Sequence, residues 1–263
     1  MKSIIVIPAL NPPEHLISYV NELIASGAEH ILLVDDGSSA EKKAIFRTLE
    51  AHPQCTLLTH PVNMGKGRAL KDAFAYILKQ PEWEGCGVIT ADSDGQHLVK
   101  DILRLNARMK ELHAAGKADL VLGCRNFHQD HVPFRSRFGN LLTCSLFRLL
   151  YSVRVDDTQT GLRGIPWELL PHMCELSGER FEYEMNMLTD AALKKLPIDM
   201  VEISTVYLDH NSESHFNPLV DSMKIYRILF GTFLKYAVSS LFSSLVDLIC
   251  FTIADLLLPA GVY

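Results

Sequence analysis

The first 125 residues alternate between two kinds of segment, and that alternation limits the fold more than any other feature of the chain. Short runs rich in Ile and Val, at 4–7, 30–34, 56–59, 87–90 and 119–122, read as strands. Between them, 14–25, 41–49, 68–78 and 100–113 carry apolar residues at helical spacing. Strands joined by crossover helices form a mostly parallel sheet with helices on both faces, an α/β architecture. In such sheets ligands sit at the carboxyl ends of the strands, so the residues just after each strand are the candidates for chemistry.

Those residues are polar, acidic or glycine. After the first strand comes Pro8-Ala9-Leu10-Asn11, and after the second Asp35-Asp36-Gly37-Ser38. Asn63-Met64-Gly65-Lys66-Gly67 follows the third, Asp92-Ser93-Asp94-Gly95-Gln96 the fourth and Gly123-Cys124-Arg125 the fifth. Asp92 and Asp94, one residue apart, can reach one hard cation through oxygen, with Gln96 adding a neutral oxygen. A cation of that kind absorbs the charge that develops on a diphosphate leaving group. Asp35 and Asp36 suit a base or ribose, or simply a strand-to-helix turn capped by Ser38. Lys66 lies between two glycines at a helix start, which suits phosphate, although no Walker loop is present. His128 and His131 read as surface loop residues.

The second half is less regular. Residues 134–153 read as a helix with apolar Phe138, Leu141, Leu142, Leu146, Leu149 and Leu150 and basic Arg135, Arg137 and Arg148, an amphipathic helix that can lie in the membrane interface with its arginines near lipid head groups, or else pack its apolar stripe on the sheet. Asp156-Asp157-Thr158-Gln159-Thr160-Gly161 is a polar turn, 181–195 a helix and 199–208 a strand. From 236 to 258 the chain is almost wholly apolar, with Asp247 and Asp255 as its charged residues, and is long enough to span a bilayer. Lys224, Arg227 and Lys235 precede it, which keeps the preceding domain cytoplasmic. The expected domains are 1–222, catalytic, and 223–263, a juxtamembrane segment with one transmembrane helix. The net charge of −6 argues against a nucleic-acid partner. Six scattered cysteines without a C-x-x-C pair read as reduced, buried thiols.

In this order, the motifs resemble the inverting family-two glycosyltransferases, in the branch of dolichyl-phosphate mannose synthase and the bacterial polyprenyl-phosphate hexose synthases. They run from Ile7-Pro8-Ala9-Leu10-Asn11 to Ser136-Arg137-Phe138-Gly139-Asn140 and Asp157-Thr158-Gln159-Thr160-Gly161-Leu162-Arg163-Gly164, across roughly residues 3–220. The resemblance implies a GT-A fold, donor contacts at Pro8, Ala9, Asn11, Asp35, Asp36, Lys66, Asp92 and Ser93, and Mg²⁺ or Mn²⁺ at Asp92, Asp94 and Gln96. Where the family has an acidic residue directly after the loop's Asn, this chain has Pro12-Pro13-Glu14, with Glu14 the expected substitute. The implied reaction moves a hexose from a nucleotide-diphosphate sugar, UDP favoured, to polyprenyl phosphate at the cytoplasmic membrane face. Asp157 is the expected catalytic carboxylate beside Asp94, with Arg125, Arg137 and Arg163 holding the acceptor phosphate. Two alternatives stand beside it: transfer to a polysaccharide or other hydroxyl acceptor in cell-envelope biosynthesis, and a nucleotide-binding membrane scaffold without turnover. The Q-x-x-R-W signature of processive synthases is absent. The segment from Phe233 to Phe251 resembles the first span of GtrA-type proteins, proposed lipid-linked-sugar flippases. That implies a fused or partner flippase and a truncated chain, and leaves a homo-oligomer open.

Overall fold

The computed structural model describes residues 2–127, 134–204 and 220–257. His128, His131, the end of the expected strand at 205–208 and position 258 lie outside them.

The α/β expectation holds. Among the described residues, seven strands, β1 (Ser3–Ala9), β2 (His30–Asp35), β3 (Cys55–Thr59), β4 (Gly87–Thr90), β5 (Leu120–Arg125), β6 (Arg163–Ile165) and β7 (Ile198–Ile203), form one sheet in the order β3-β2-β1-β4-β6-β5-β7. The strand pairs are parallel except those of β6, which is antiparallel to both β4 and β5. The helices are α1 (His15–Ala25), α2 (Lys43–Glu50), α3 (Lys66–Ile77), α4 (Val99–Ala114), α5 (Phe134–Tyr151), α6 (Leu170–Glu175), α7 (Glu182–Leu193) and α8 (Val220–Leu257).

The two-residue period of the strands builds two cores. Ile4 and Val6 of β1 face α3, α6 and α7, where Phe74, Leu170, Met173 and Leu188 are buried. Ile5 and Ile7 face α1, α2 and α4, against Leu16, Phe46 and Leu105. Each such side chain contributes about 1.5–3 kcal/mol on burial. Among the described residues, β6, only three residues long, and α6 are elements that the sequence reading did not anticipate.

Inserting β6 has a topological consequence. A strand antiparallel to β4 and β5 begins at their carboxyl ends, so the residues before β6, 157–162, lie on the edge where the parallel strands deliver their loops. Thr90 Oγ1 donates to the Gly161 carbonyl at 2.7 Å, and Thr160 Oγ1 to the Gly123 carbonyl at 2.6 Å. The turn is thereby tied to both strands.

Helix α5 has an inverted character. Asn140, Thr143 and Phe147 are buried, whereas Phe138, Leu142 and Leu149 face outward, with Phe138 58% and Leu149 77% exposed. The apolar stripe is thus split between the two places open to it, one part packed on the core and the other facing outward. Helix α8 runs 38 residues, about 57 Å at 1.5 Å per residue, without a break at position 222. Its segment Ala237–Asp255 has mean hydropathy 1.8, is long and apolar enough to cross a membrane and is not buried against the rest of the protein. All six cysteines are free; Cys55, Cys86 and Cys124 are buried, and Cys250 on α8 is exposed, unlike the expectation for it.

The split stripe makes a prediction. Phe147→Ala should destabilise the protein by about 3–5 kcal/mol, whereas Leu149→Ala should change stability by less than about 0.5 kcal/mol. Denaturant melts of the two variants in detergent check this, and equal losses would contradict the assigned faces.

Candidate active site

A cleft of about 590 Å³ opens at the carboxyl ends of β1, β2 and β4. Of the expected donor and metal residues, Pro8, Ala9, Asn11, Asp36, Lys66, Asp92, Ser93 and Asp94 line it. Glu14, Asp35 and Gln96 are not among its lining residues. Glu14 is exposed ahead of α1, and Pro12 and Pro13 line the cleft in its stead.

The loops are held by their own polar groups. Asn11 adopts φ 48°, the left-handed region that Asn tolerates better than most residues. Its backbone N–H donates to Ser38 Oγ at 2.8 Å, and its side-chain oxygen accepts from the Ser39 N–H at 2.8 Å. Asp35 is fully buried, accepting from the Ser38 N–H at 2.8 Å and pairing with Lys43. It supports the turn beneath the cleft, the simpler of the two roles open to it. Asp36 accepts from the Met64 and Gly65 N–H groups, each at 2.8 Å, and pairs with His60 Nδ1 at 2.8 Å. One carboxylate thereby fixes the loop that delivers Lys66.

Gly65 and Gly67 are needed for close packing. A Cβ at Gly65 would come within 2.4 Å of the Glu179 carbonyl oxygen, and one at Gly67 within 2.5 Å of Tyr183 Cβ. That contact brings Arg180 and Phe181 into the cleft wall. Neither residue follows a strand, so the strand-end rule did not reach them; Lys42 is a third lining residue not singled out from the sequence.

Charge concentrates at the cleft floor. Lys66 Nζ lies 2.6 Å from Asp92 Oδ1 and 3.0 Å from Glu184 Oε1. Burial alone would lower the Lys66 ammonium, but Asp92 and Glu184 more than reverse this and raise it. Burial alone would raise the Asp92 carboxyl; Lys66, then His97, outweigh it and hold it down at about 2. Asp94 is raised, by burial and then by the Asp92 charge. His97 accepts the Asp92 N–H at Nδ1 at 3.0 Å, which leaves its Nε2 toward Asp92 Oδ2, 3.8 Å away.

The turn before β6 supplies the other side. Asp157 is fully buried and holds Arg125 through two bonds, Nε to Oδ2 at 2.7 Å and Nη2 to Oδ1 at 3.2 Å, while Oδ1 also accepts the Gln159 N–H at 3.0 Å. Arg125 in turn helps to lower Asp92. A Cβ at Gly161 would meet Asp92 Oδ2 at 2.5 Å, so the turn and the acidic loop touch. Arg163, expected at the acceptor phosphate, is 1% exposed and donates to the Thr160 and Glu184 carbonyls. Its guanidinium ties β6 to α7 and is not presented to an incoming phosphate. Arg137 is exposed on the first turns of α5.

The sequence profile described as "Glycosyl transferase family 2" matches residues 4–162. The chain belongs to this family. A UDP-N-acetylglucosamine–dolichyl-phosphate N-acetylglucosaminyltransferase of Methanococcus voltae is 27% identical over 242 residues, 86% of this chain and 94% of that protein. A dolichyl-phosphate beta-glucosyltransferase of Trichomonas vaginalis is 27% identical over 172 residues, 60% of this chain and 51% of the relative. Among solved structures, glucosyl-3-phosphoglycerate synthase of Mycobacterium tuberculosis, in complex with Mn²⁺, UDP and glucosyl-3-phosphoglycerate, superposes with TM-score 0.61. It is 19% identical, and the match covers 89% of this chain and 79% of that one, a likeness of fold. The chain is thus a family-two glycosyltransferase with the GT-A fold.

The acidic loop of this family member suits a divalent cation. Asp92 and Asp94 are close enough for the Asp92 charge to raise its neighbour, a repulsion that a cation between them relieves. Among the described residues no group of three His, Cys, Asp or Glu side chains forms a metal cage. Two carboxylates suffice where substrate phosphates supply further oxygens, the usual arrangement for Mg²⁺.

A stability prediction follows. A carboxyl raised in the folded state costs stability once the pH exceeds its folded value, and the cost disappears as the pH falls below the unfolded value near 3.8. In EDTA at pH 7, Asp94→Asn should therefore melt higher than wild type, with the gap narrowing toward pH 4. A lower melting temperature for the variant at pH 7 would overturn the assigned strain.

Proposed function

We propose that this glycosyltransferase moves a hexose, with inversion, from a UDP-sugar to polyprenyl phosphate at the cytoplasmic face of a membrane. The observation that carries this reading is the position of α5. Its buried face packs on the turn before β6, where Asn140 Nδ2 donates to the Asp156 carbonyl at 3.2 Å, while Phe138, Leu142 and Leu149 face outward. An apolar surface and the Asp157 turn thus lie on opposite sides of one helix. The relatives whose names specify dolichyl phosphate as acceptor support the same chemistry.

The nucleotide enters along Pro8, Ala9, Asn11 and Asp36, with its diphosphate toward Lys66 and the first turn of α3, where N–H groups and the helix dipole favour anions. A divalent cation, Mg²⁺ or Mn²⁺, held by Asp92 and Asp94, supplies charge neutralisation at the departing diphosphate when bound. Gln96 remains the candidate for a neutral oxygen near it.

The acceptor phosphate, with a second pKa of about 6, is largely ionised at neutral pH and needs no general base. Asp157 therefore orients: its two oxygens hold the Arg125 guanidinium in a planar pair. Arg125 and Arg137 steer the phosphate oxygen toward the anomeric carbon, a sugar–phosphate bond forms as the bond to the diphosphate breaks, and no proton moves.

The lipid sets the location. Exposing a polyprenyl chain to water costs about 0.8 kcal/mol per CH₂, so the enzyme must come to the bilayer. The α5 outer face lies at the interface and Ala237–Asp255 crosses the membrane. Asp247, near mid-span, is exposed along α8, and because one aspartate there costs about 2.5–3.5 kcal/mol against lipid, it faces a helix supplied from outside the described residues.

UDP release by the full chain in detergent, measured across UDP-hexoses with polyprenyl phosphate, with polyprenol and without lipid, tests this. Release should require the phosphate and stop in EDTA, and Arg137→Ala should raise the KM for the lipid at least tenfold while that for the donor stays constant. Equal release with polyprenol would favour a hydroxyl acceptor, and UDP binding without release would favour a scaffold; either result would contradict the proposal.

A further inference from the structure

Behind Lys66, which lines the cleft, stands a carboxylate that the proposed donor and acceptor sites leave without a role. Glu184, on the first turn of α7, is nearly buried, and its backbone is fixed by Arg163, whose Nη1 donates to the Glu184 carbonyl at 2.6 Å. A buried carboxylate needs a partner, and here that partner is Lys66 at 3.0 Å. The same ammonium reaches Asp92 Oδ1 at 2.6 Å and lies over the Phe181 ring, 6.0 Å from its centre. Lys66 thus bridges an acidic residue of the cation loop and a nearly buried acidic residue that also lies within electrostatic reach of the Arg163 guanidinium.

The geometry creates a competition. Lys66 holds one of the two oxygens through which Asp92 would bind a divalent cation, and a carboxylate paired with an ammonium at this distance would be a poorer ligand. An ammonium has three N–H donors. Releasing Asp92 while keeping Glu184 requires only a pivot of the Lys66 side chain about its seat on α7, and an arriving diphosphate offers oxygens for the freed N–H.

We propose that Glu184 is a positioning residue that seats Lys66 as a displaceable stand-in for the metal on Asp92, so that metal and nucleotide diphosphate bind together and metal alone binds weakly. This rests on the reading of Asp92 and Asp94 as the metal-holding pair. Charge supports it: a cleft with Asp92, Asp94 and Glu184 would be strongly anionic without Lys66, and on the diphosphate Lys66 adds the positive charge that the leaving group needs. The arrangement also guards against a bound cation without substrate, since only the diphosphate draws Lys66 away.

The test is Mn²⁺ binding by the full chain in detergent, followed through the electron paramagnetic resonance signal of free Mn²⁺, with and without UDP. Wild type should bind Mn²⁺ weakly alone and at least tenfold more tightly with UDP. Lys66→Met should bind Mn²⁺ alone about tenfold more tightly than wild type and lose most of the UDP effect. Glu184→Gln should move the other way, weakening Mn²⁺ binding severalfold without UDP, because Lys66 then rests on Asp92 alone. A merely structural role would shift melting temperatures and leave these Kd values unchanged, which would overturn the proposal. If Lys66→Met does not fold, Glu184→Gln decides: an unchanged Kd for Mn²⁺ overturns it. Asp94→Asn separates the two layers. Undiminished Mn²⁺ binding with UDP in that variant removes the metal reading itself, whereas its loss alongside a wild-type Kd in Lys66→Met removes only the stand-in.

Discussion

Two threonine hydroxyls hold together the part of this molecule that the rest depends on. Thr90 and Thr160 tie the turn before β6 to the ends of β4 and β5. Together with the β6 ladders to both strands, that tie places the turn opposite the cleft at the ends of the parallel strands. With it, Gly161 lies directly against Asp92, and Asp157 holds Arg125 within electrostatic reach of the same carboxylate. A three-residue antiparallel strand gives the cleft edge a second side.

The electrostatics follow from that closeness. Acidic groups crowd the strand ends, and internal cations answer them one by one: Lys43 for Asp35, Lys66 for Asp92 and Glu184, Arg125 for Asp157. Asp94 is the carboxyl that this pairing leaves strained, raised by burial and by its neighbour. A carboxyl strained in this way at a strand end is a candidate functional group. The surface repeats the pattern at larger scale: α5 and α8 expose apolar side chains that a water-soluble protein buries.

The parallel part of the sheet was legible because Ile and Val runs alternating with helical spacing have few other solutions; β1 to β5 and α1 to α4 fall within a few residues of their expected places. Motifs after those strands were legible for the same reason, since topology carries each one to the cleft edge. What escaped lacks a periodic signal. Strand β6 is too short to alternate, and the Arg180-Phe181 wall follows no strand. Glycines 65 and 67 read as the flanks of a phosphate-suited lysine, yet a Cβ at either would collide with residues 179–183. Arg163 looked like a phosphate ligand because its burial depends on strand pairing that sequence does not show. The apolar positions of α5 were visible, but only the fold separates its inward from its outward face.

The central claim is that a lipid phosphate and a metal-held diphosphate share one site across β6. Phosphorus NMR relaxation of a short isoprenyl phosphate, bound to the enzyme with Mn²⁺ and UDP, tests it most directly. Paramagnetic Mn²⁺ at Asp92 and Asp94 should broaden the isoprenyl phosphorus strongly, the effect should vanish with Mg²⁺, and Asp94→Asn should abolish it. An active enzyme whose acceptor phosphorus shows no more broadening with Mn²⁺ than with Mg²⁺ would contradict the shared site.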